Sequence, residues 1–401
     1  MSNSLSLLNE GPIRSIEQWS AGTDTASITV FRDLVSLEPF WQRLETDGHA
    51  TIFQTWAVFQ AWVRHVAERQ GLTWVVIGVM RGETTPLMLL PLVVRRSNGL
   101  QIIEWADLGV SDFNGPVVAR SFHPTAREMQ RIWNRILDAL PAGDLLHITK
   151  MPKFVTGQKN PLLSLPGVHR SSLSAYGTAL DGDWNAWAKA TIEPKLLKDI
   201  AARIRKLEKR GKVEFYVTSE AEQSTPSFDV MCAQRAQRHA AMQRQNILAQ
   251  PGYRAFYQAL FASAQGSGPA LIARLTIDGD IIATGYGLAD GKAFHMIFPT
   301  FKADGWRNYS PGLQLFVRTM QWAAENGYTY FDFTIGGESF KLGLGATERP
   351  LYEKAVALSP RGLPFVMANR LKRVVRASPA AAHWAMGALA TLKLPNLGSA
   401  G

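Results

Sequence analysis

The chain has 401 residues, 46% hydrophobic and 19% charged, which is enough for two globular domains with sizeable cores. Its one cysteine, Cys232, excludes an intrachain disulfide framework and Cys-rich zinc sites, and no apolar run of roughly 18 residues is free of charge, so no spanning helix is expected. The net charge of +10 points to an anionic partner, and nucleic acid, a membrane surface, a phosphorylated cofactor and an acidic glycan all qualify.

Residues 1–25 are polar and aperiodic and read as a flexible tail. They show no basic flank ahead of an apolar core, so no signal peptide is expected and the reducing cytoplasm is the default location. "SITVF" (27–31) alternates as a strand does. "LEPFWQRLETDG" and "TWAVFQAWVRHVAERQG" have helical spacing, and each ends at a glycine, where a left-handed cap is easy. "LTWVVIGVMRG" and "TPLMLLPLVVRR" predict two strands around a turn at Gly82–Thr84, and "LQIIEWADLG" a third. "TAREMQRIWNRILDAL" predicts an amphipathic helix and "DLLHITKM" the strand after it.

The second half repeats that order. A helical, strongly basic segment from "DWNAW" to "KLEKRG" joins the halves. "KVEFYV" (212–217) predicts a strand, and helices follow over about 224–245 and 252–266, separated by Pro251 and Gly252. Three strands then turn at Asp278-Gly279 and Asp290-Gly291, where glycine accepts the positive φ of a tight hairpin. A helix from about Pro311 to Asn326, ended by Gly327, leads into the strand "YTYFDF" (328–333). A tandem duplication accounts for the shared order. The domains expected are 26–180 and 181–360, with 361–401 as a helical extension.

Three stretches carry candidate chemistry. In "DGWRNYSPGLQLFV", Ser310 suits an N-cap and Pro311 the first helical turn. The N–H groups of Gly312, Leu313 and Gln314 could then face an anion with the helix dipole behind them and Arg307 beside them; an ordinary capped helix is the plainer reading. In "YTYFDFTIGGESFKLGLG", Asp332 lies on a strand that should be buried, so its carboxylate must be hydrogen-bonded, paired or shifted in pKa. Glu338 and Lys341, three apart, can pair, either as one solvated salt bridge or as part of a site. The third stretch is the basic helix, with eight cations between Lys195 and Lys212, Arg203 among them: a solvated face, or a patch for an anionic substrate or membrane surface. The histidines are scattered and show no ligand spacing, so no metal is expected, and Cys232 reads as a structural thiol.

The order of elements resembles the GNAT acyltransferase fold. Specific stretches sharpen the likeness: "IFQTWAVFQAW" (52–62), "LPLVVRR" (90–96), "SDFNGPVV" (111–118), "NYSPGLQL" (308–315) and "FDFTIGGESFK" (331–341) look like the tandem GNAT proteins of the CelD/BcsL-like group, over about residues 25–360. That group is similar in its doubled fold to the Fem-type aminoacyl transferases. The resemblance implies an α/β fold of two GNAT-like domains, each a mostly antiparallel sheet flanked by helices. It implies acetyl-CoA or another acyl-CoA, with the pyrophosphate on the "SPG" helix through Arg307, Ser310, Gly312, Leu313 and Gln314. The usual Q/RxxGxG/A loop is only partly present between Arg307 and Gly312. Asp332, Glu338 and Lys341 would rim the acceptor end, one acid as the base and Lys341 on an anionic acceptor or holding a carboxylate charged. Trp56 from "FQTW", with Asp112, Phe113 and Asn114 from "SDFNG", would help shape the acceptor groove, and Arg203 adds a cation.

Three functions follow. The first is acyl-CoA-dependent N- or O-acyl transfer to a polar, small-molecule or saccharide-linked acceptor, with a link to cellulose or exopolysaccharide synthesis implied by the resemblance. The second is Fem-like transfer from an aminoacyl-tRNA, favoured by the charge and the basic helix. The third is a non-catalytic scaffold of a polysaccharide-secretion system that docks through 361–393, a segment whose basic and apolar residues also permit peripheral membrane contact.

Overall fold

The computed structural model describes residues 19–21, 24–261, 268–302 and 305–377. The rest of the expected tail and the extension beyond residue 377 lie outside the described residues.

The first half builds the antiparallel strands β1 (Asp24–Phe31), β2 (Thr73–Arg81), β3 (Thr85–Ser97) and β4 (Leu100–Trp105). Helices α1 (Leu34–Asp47) and α2 (Trp56–Trp62) follow β1. Helix α3 (Ala126–Asp138) starts at a reciprocal cap between Thr125 and Glu128 and leads to β5 (Leu145–Pro152), which pairs with β4 in parallel. A further strand, β6 (His169–Ala179), was not expected from sequence. The joining segment forms two helices, α4 (Trp184–Thr191) and α5 (Pro194–Glu208), because Pro194 opens a new first turn.

The second half repeats the pattern. Strand β7 (Val213–Thr218) precedes helices α6 (Ala221–Ala241) and α7 (Tyr253–Ala259). Helix α7 is shorter than the expected 252–266, of which 262–266 lie outside the described residues. Strands β8 (Ala270–Ile277), β9 (Asp280–Ala289) and β10 (Ala293–Phe301) form the antiparallel meander, with Gly279 and Gly291 at positive φ in its turns. Helix α8 (Pro311–Glu325) then leads to β11 (Tyr330–Ile335), again parallel to its predecessor. A short helix α9 (Ser339–Gly343) and a long strand β12 (Thr347–Ala357) close the unit, and α10 (Leu363–Ala377) follows.

The halves are joined by exchanged strands. In the fifteen-stranded sheet the central order is β5-β12-β6-β11. Strand β12, from the second half, pairs with β5 of the first; β6, from the first half, pairs with β11 of the second; and the two pair with each other. The expected boundary at 180/181 therefore falls just after a strand whose ladder partners both belong to the other half. The main core also crosses the junction: Trp41, Trp62 and Phe113 belong to the same apolar cluster as Tyr253, Phe256, Tyr257 and Phe298. Each such side chain, fully buried, contributes about 1.5–3 kcal/mol relative to exposure.

Candidate active site

Strands β10 and β11 pair only over Ala293–His295 and Tyr330–Asp332, though both run further. Beyond that point they part, and a β-bulge leaves Ile297 without a register partner on β9. The opening is a cavity of about 530 Å³ lined by Ile297, Thr334 and Phe333, by the start of α8, by one face of α6, and by Glu338 and Lys341. A second space of about 640 Å³ adjoins it and shares Arg238, Phe301 and Arg307.

The start of α8 differs from its expected form. Ser310 is left-handed (φ 47°, ψ 55°) and its side chain makes no cap bond. Its hydroxyl instead accepts from the Arg203 guanidinium of α5. The Gln314 N–H is taken by the Ser310 carbonyl (3.1 Å), and its side chain is buried, donating to the Tyr309 carbonyl (2.8 Å). Gly312 and Leu313 are left with first-turn N–H groups that have no intrahelical partner, and both residues line the cavity. A Cβ on Gly312 would stand 2.9 Å from the Phe301 ring, so glycine keeps this end open. Arg307 is exposed at the same rim.

Lys341 is only 4% exposed, and its ammonium donates to the carbonyls of Ile335 (3.1 Å) and Gly336 (2.9 Å) and pairs with Glu338 (2.8 Å). It thus ties down the turn at Gly336, which has φ +114°. Burial works to raise the Glu338 pKa, but its bonds to Lys341 and the backbone hold it below the usual carboxylate range.

Asp332 does not line the cavity. It is wholly buried, bound by the Arg349 guanidinium, 3.4 Å from His295 Nδ1, and accepts from the Thr334 N–H (2.7 Å). Burial would raise its pKa, but Arg349 and His295 lower it. Burial alone would lower His295, yet the Asp290 and Asp332 carboxylates carry it up to about 9. Phe53 and Phe113 of the first half lie edge-on to the His295 ring, so this charged cluster is a joint between the halves.

The "SDFNG" loop enters from the first half. Asp107 accepts from the side chain of Asn114 and pairs with Lys150 (3.3 Å), which also donates to the Ser111 carbonyl (2.8 Å). Gln54 donates to the Phe113 carbonyl (3.1 Å), and Tyr253 of α7 to the Leu108 carbonyl (2.9 Å). Phe113 and Asn114 are therefore scaffold for the loop that bears Asp112, which sits behind the cavity-lining Thr334 rather than in the cavity wall. Its carboxyl meets the Thr334 hydroxyl and feels Lys150, Asp332 and Lys341; burial dominates and pushes its pKa up to about 6. Trp56 stands apart, its ring tilted against that of Trp41 and its indole N–H bonded to Glu38 (3.1 Å) inside the first half.

Sequence reasoning missed the wall formed by α6. Arg235, Arg238, His239 and Met242 fall at i, i+3, i+4 and i+7 and all line the cavity, with Arg244 just beyond. The spacing in "RAQRHAAM" was the available signal. Among the described residues, no group of three or more His, Cys, Asp or Glu side chains is placed to hold a metal, and no helix is long and apolar enough to cross a membrane.

Comparison with known proteins agrees with this geometry. Residues 194–342 match the family model described as the acetyltransferase (GNAT) domain. The second half of the chain thus carries a GNAT acyltransferase domain, and the protein is an acyltransferase of GNAT type with a doubled, GNAT-like α/β fold. Among solved structures, FemX is similar at 11% identity and a TM-score of 0.54, covering 82% of this chain and 97% of that one. A conserved protein of unknown function from Bacteroides thetaiotaomicron VPI-5482 is similar at 11% identity and a TM-score of 0.50, covering 82% and 99%. At such identities the likeness is one of fold. No curated protein matches the chain.

Proposed function

We propose that the protein is an acyl-CoA-dependent N- or O-acyltransferase, with acetyl-CoA as the simplest donor and a polar acceptor. The observation that carries this reading is the through-sheet gap between β10 and β11, with free N–H groups at Gly312 and Leu313 on its rim. These donors and the cations Arg307 and Arg203 suit a pyrophosphate, and the acyl-CoA supplies an activated thioester. Transfer forms a C–N or C–O bond, breaks the C–S bond, and moves one proton from the acceptor to the leaving sulfur. Asp112 holds that proton in transit, with the Thr334 hydroxyl between it and the cavity. It replaces Asp332, which is locked in an ion-pair cluster, and Glu338, whose depressed pKa makes it a weak base. Lys341 acts by fixing the turn that carries Glu338. A saccharide-linked acceptor from exopolysaccharide or cellulose synthesis and a cytoplasmic location go with this reading.

Calorimetric titration with acetyl-CoA tests it, with Gly312→Glu as the blocking variant. Binding that vanishes in the variant supports the reading. Failure of the wild type to bind acetyl-CoA or longer acyl-CoAs overturns it. A second reading, an aminoacyl group delivered on RNA, draws on α5: Lys195, Lys198, Arg205 and Lys206 are exposed there, and Lys206 reaches over Tyr309 (5.1 Å), the residue before the cavity-lining Ser310. RNA binding that weakens steeply with salt would favour it.

A further inference from the structure

We propose that the arginine face of α6 is a phosphate site for the acceptor. This rests on the acyl-CoA reading and adds the acceptor's class: a small molecule bearing a phosphate near its amine or hydroxyl. Helices α6 and α8 pack on opposite faces of the same strands. Gln234 of α6 meets Thr284 of β9 (3.1 Å), whereas the next residue, Gly285, faces Leu315 of α8. Successive strand residues point to opposite faces. The cavity therefore joins two cationic ends across the sheet. The α8 end accounts for the donor's pyrophosphate, and the α6 end is left over.

That end is built to keep its charge available. The Arg235 guanidinium lies over the Phe298 ring (4.4 Å), and its Nε donates to Asn246 (3.2 Å), which fixes the fork. Arg238 lies over Phe301 (5.2 Å). Among the described residues, Arg235, Arg238 and Arg244 have no carboxylate within ion-pair distance, and the one carboxylate lining the cavity, Glu338, is paired with Lys341. Planar, oriented arginines match phosphate oxygens in bidentate fashion. A phosphate held here leaves the rest of the acceptor on the side of the gap where the acyl group emerges.

The test uses the full chain saturated with CoA, so that the α8 end is filled. Inorganic phosphate, glucosamine 6-phosphate and glucosamine are titrated in by calorimetry. The phosphorylated sugar should bind at least about tenfold more tightly than glucosamine, and inorganic phosphate should compete with it. Arg235→Gln and Arg238→Gln should each weaken it about tenfold, a change of about 1.4 kcal/mol, with CoA affinity unchanged. Arg235→Lys should retain part of the affinity, and thermal unfolding checks that each variant is folded. Equal affinity for the two sugars overturns the proposal. So does a variant that loses CoA and keeps the sugar phosphate, since the wall would then serve the donor. A wild type that binds the sugar phosphate but no CoA retains the phosphate site and sinks only the donor reading.

Discussion

Asp332→Asn separates a structural from a chemical role for the buried acid. The change keeps the shape and removes the charge that Arg349 and His295 share. Breaking a buried ion pair by neutralising one partner costs about 3–5 kcal/mol. The pH dependence is more telling than the loss itself. His295 is raised from its ordinary 6.5 to about 9, so its protonation stabilises the fold fully below 6.5, and that stabilisation is lost as pH rises through 9. Such a shift corresponds to about 3 kcal/mol. Asp332 itself is depressed, so its contribution is present above its ordinary value and lost on acidification below it. Urea unfolding of the wild type should therefore show stability falling by about 3 kcal/mol between pH 6 and 9.5. In Asp332→Asn, His295 keeps only Asp290, 3.9 Å away, and the fall should shrink to about half or less. Equal slopes in the two proteins would refute the cluster as the source. A fully stable variant that has lost turnover would return Asp332 to the chemistry.

Other changes probe the cavity. Asp112→Asn should lower kcat by about 10²–10⁴ and remove an acidic limb near pH 6 from the pH–rate profile. The same variant should be more stable by up to about 3 kcal/mol at pH 8, because a carboxyl raised from 3.8 to about 6 is destabilising once ionised; loss of both activity and stability would show that the loop itself had collapsed. Gly312→Ala places a methyl 2.9 Å from the Phe301 ring and should weaken CoA about tenfold in calorimetry with the unfolding midpoint little changed. Lys341→Met leaves the Ile335 and Gly336 carbonyls without their donor and should cost about 1–3 kcal/mol in chemical denaturation.

The repeating order of elements was legible because each element has its own local period. The alternating stretch of β1, the amphipathic α3 and the Asp-Gly turns need no partner to be recognised. Strands β6 and β12 were missed for a physical reason. Their residues are a mixture of buried, half-buried and exposed positions, since each is paired on both edges by strands from distant parts of the chain. Charged residues such as Lys354 on β12 are satisfied there only after folding, by the Pro166 carbonyl. No window of sequence contains that pairing.

The site divides the same way. Gly312, Leu313, Glu338 and Lys341, singled out by their local chemistry, come from one stretch of chain and line the same cavity. Asp112 was placed only in the acceptor groove, because its carboxyl acquires its character from Thr334, Lys150 and Lys341, all far away in sequence. The exchanged strands supply the reason such a site can exist. Strand β6 runs from the first half into a ladder with β11, the strand that carries Thr334, and Thr334 pairs with Tyr176 across it. The loop that bears Asp112 is meanwhile clamped to its own half through Asp107 and Lys150, and to α7 of the other half through Tyr253. The second half alone would supply the start of α8 and the arginine face of α6, but not the carboxyl of raised pKa behind Thr334. Coupling the halves through shared strands, rather than through a linker, fixes the Asp112 loop of the first half beside the strand that carries Thr334, as the proposed proton-transfer role of Asp112 requires.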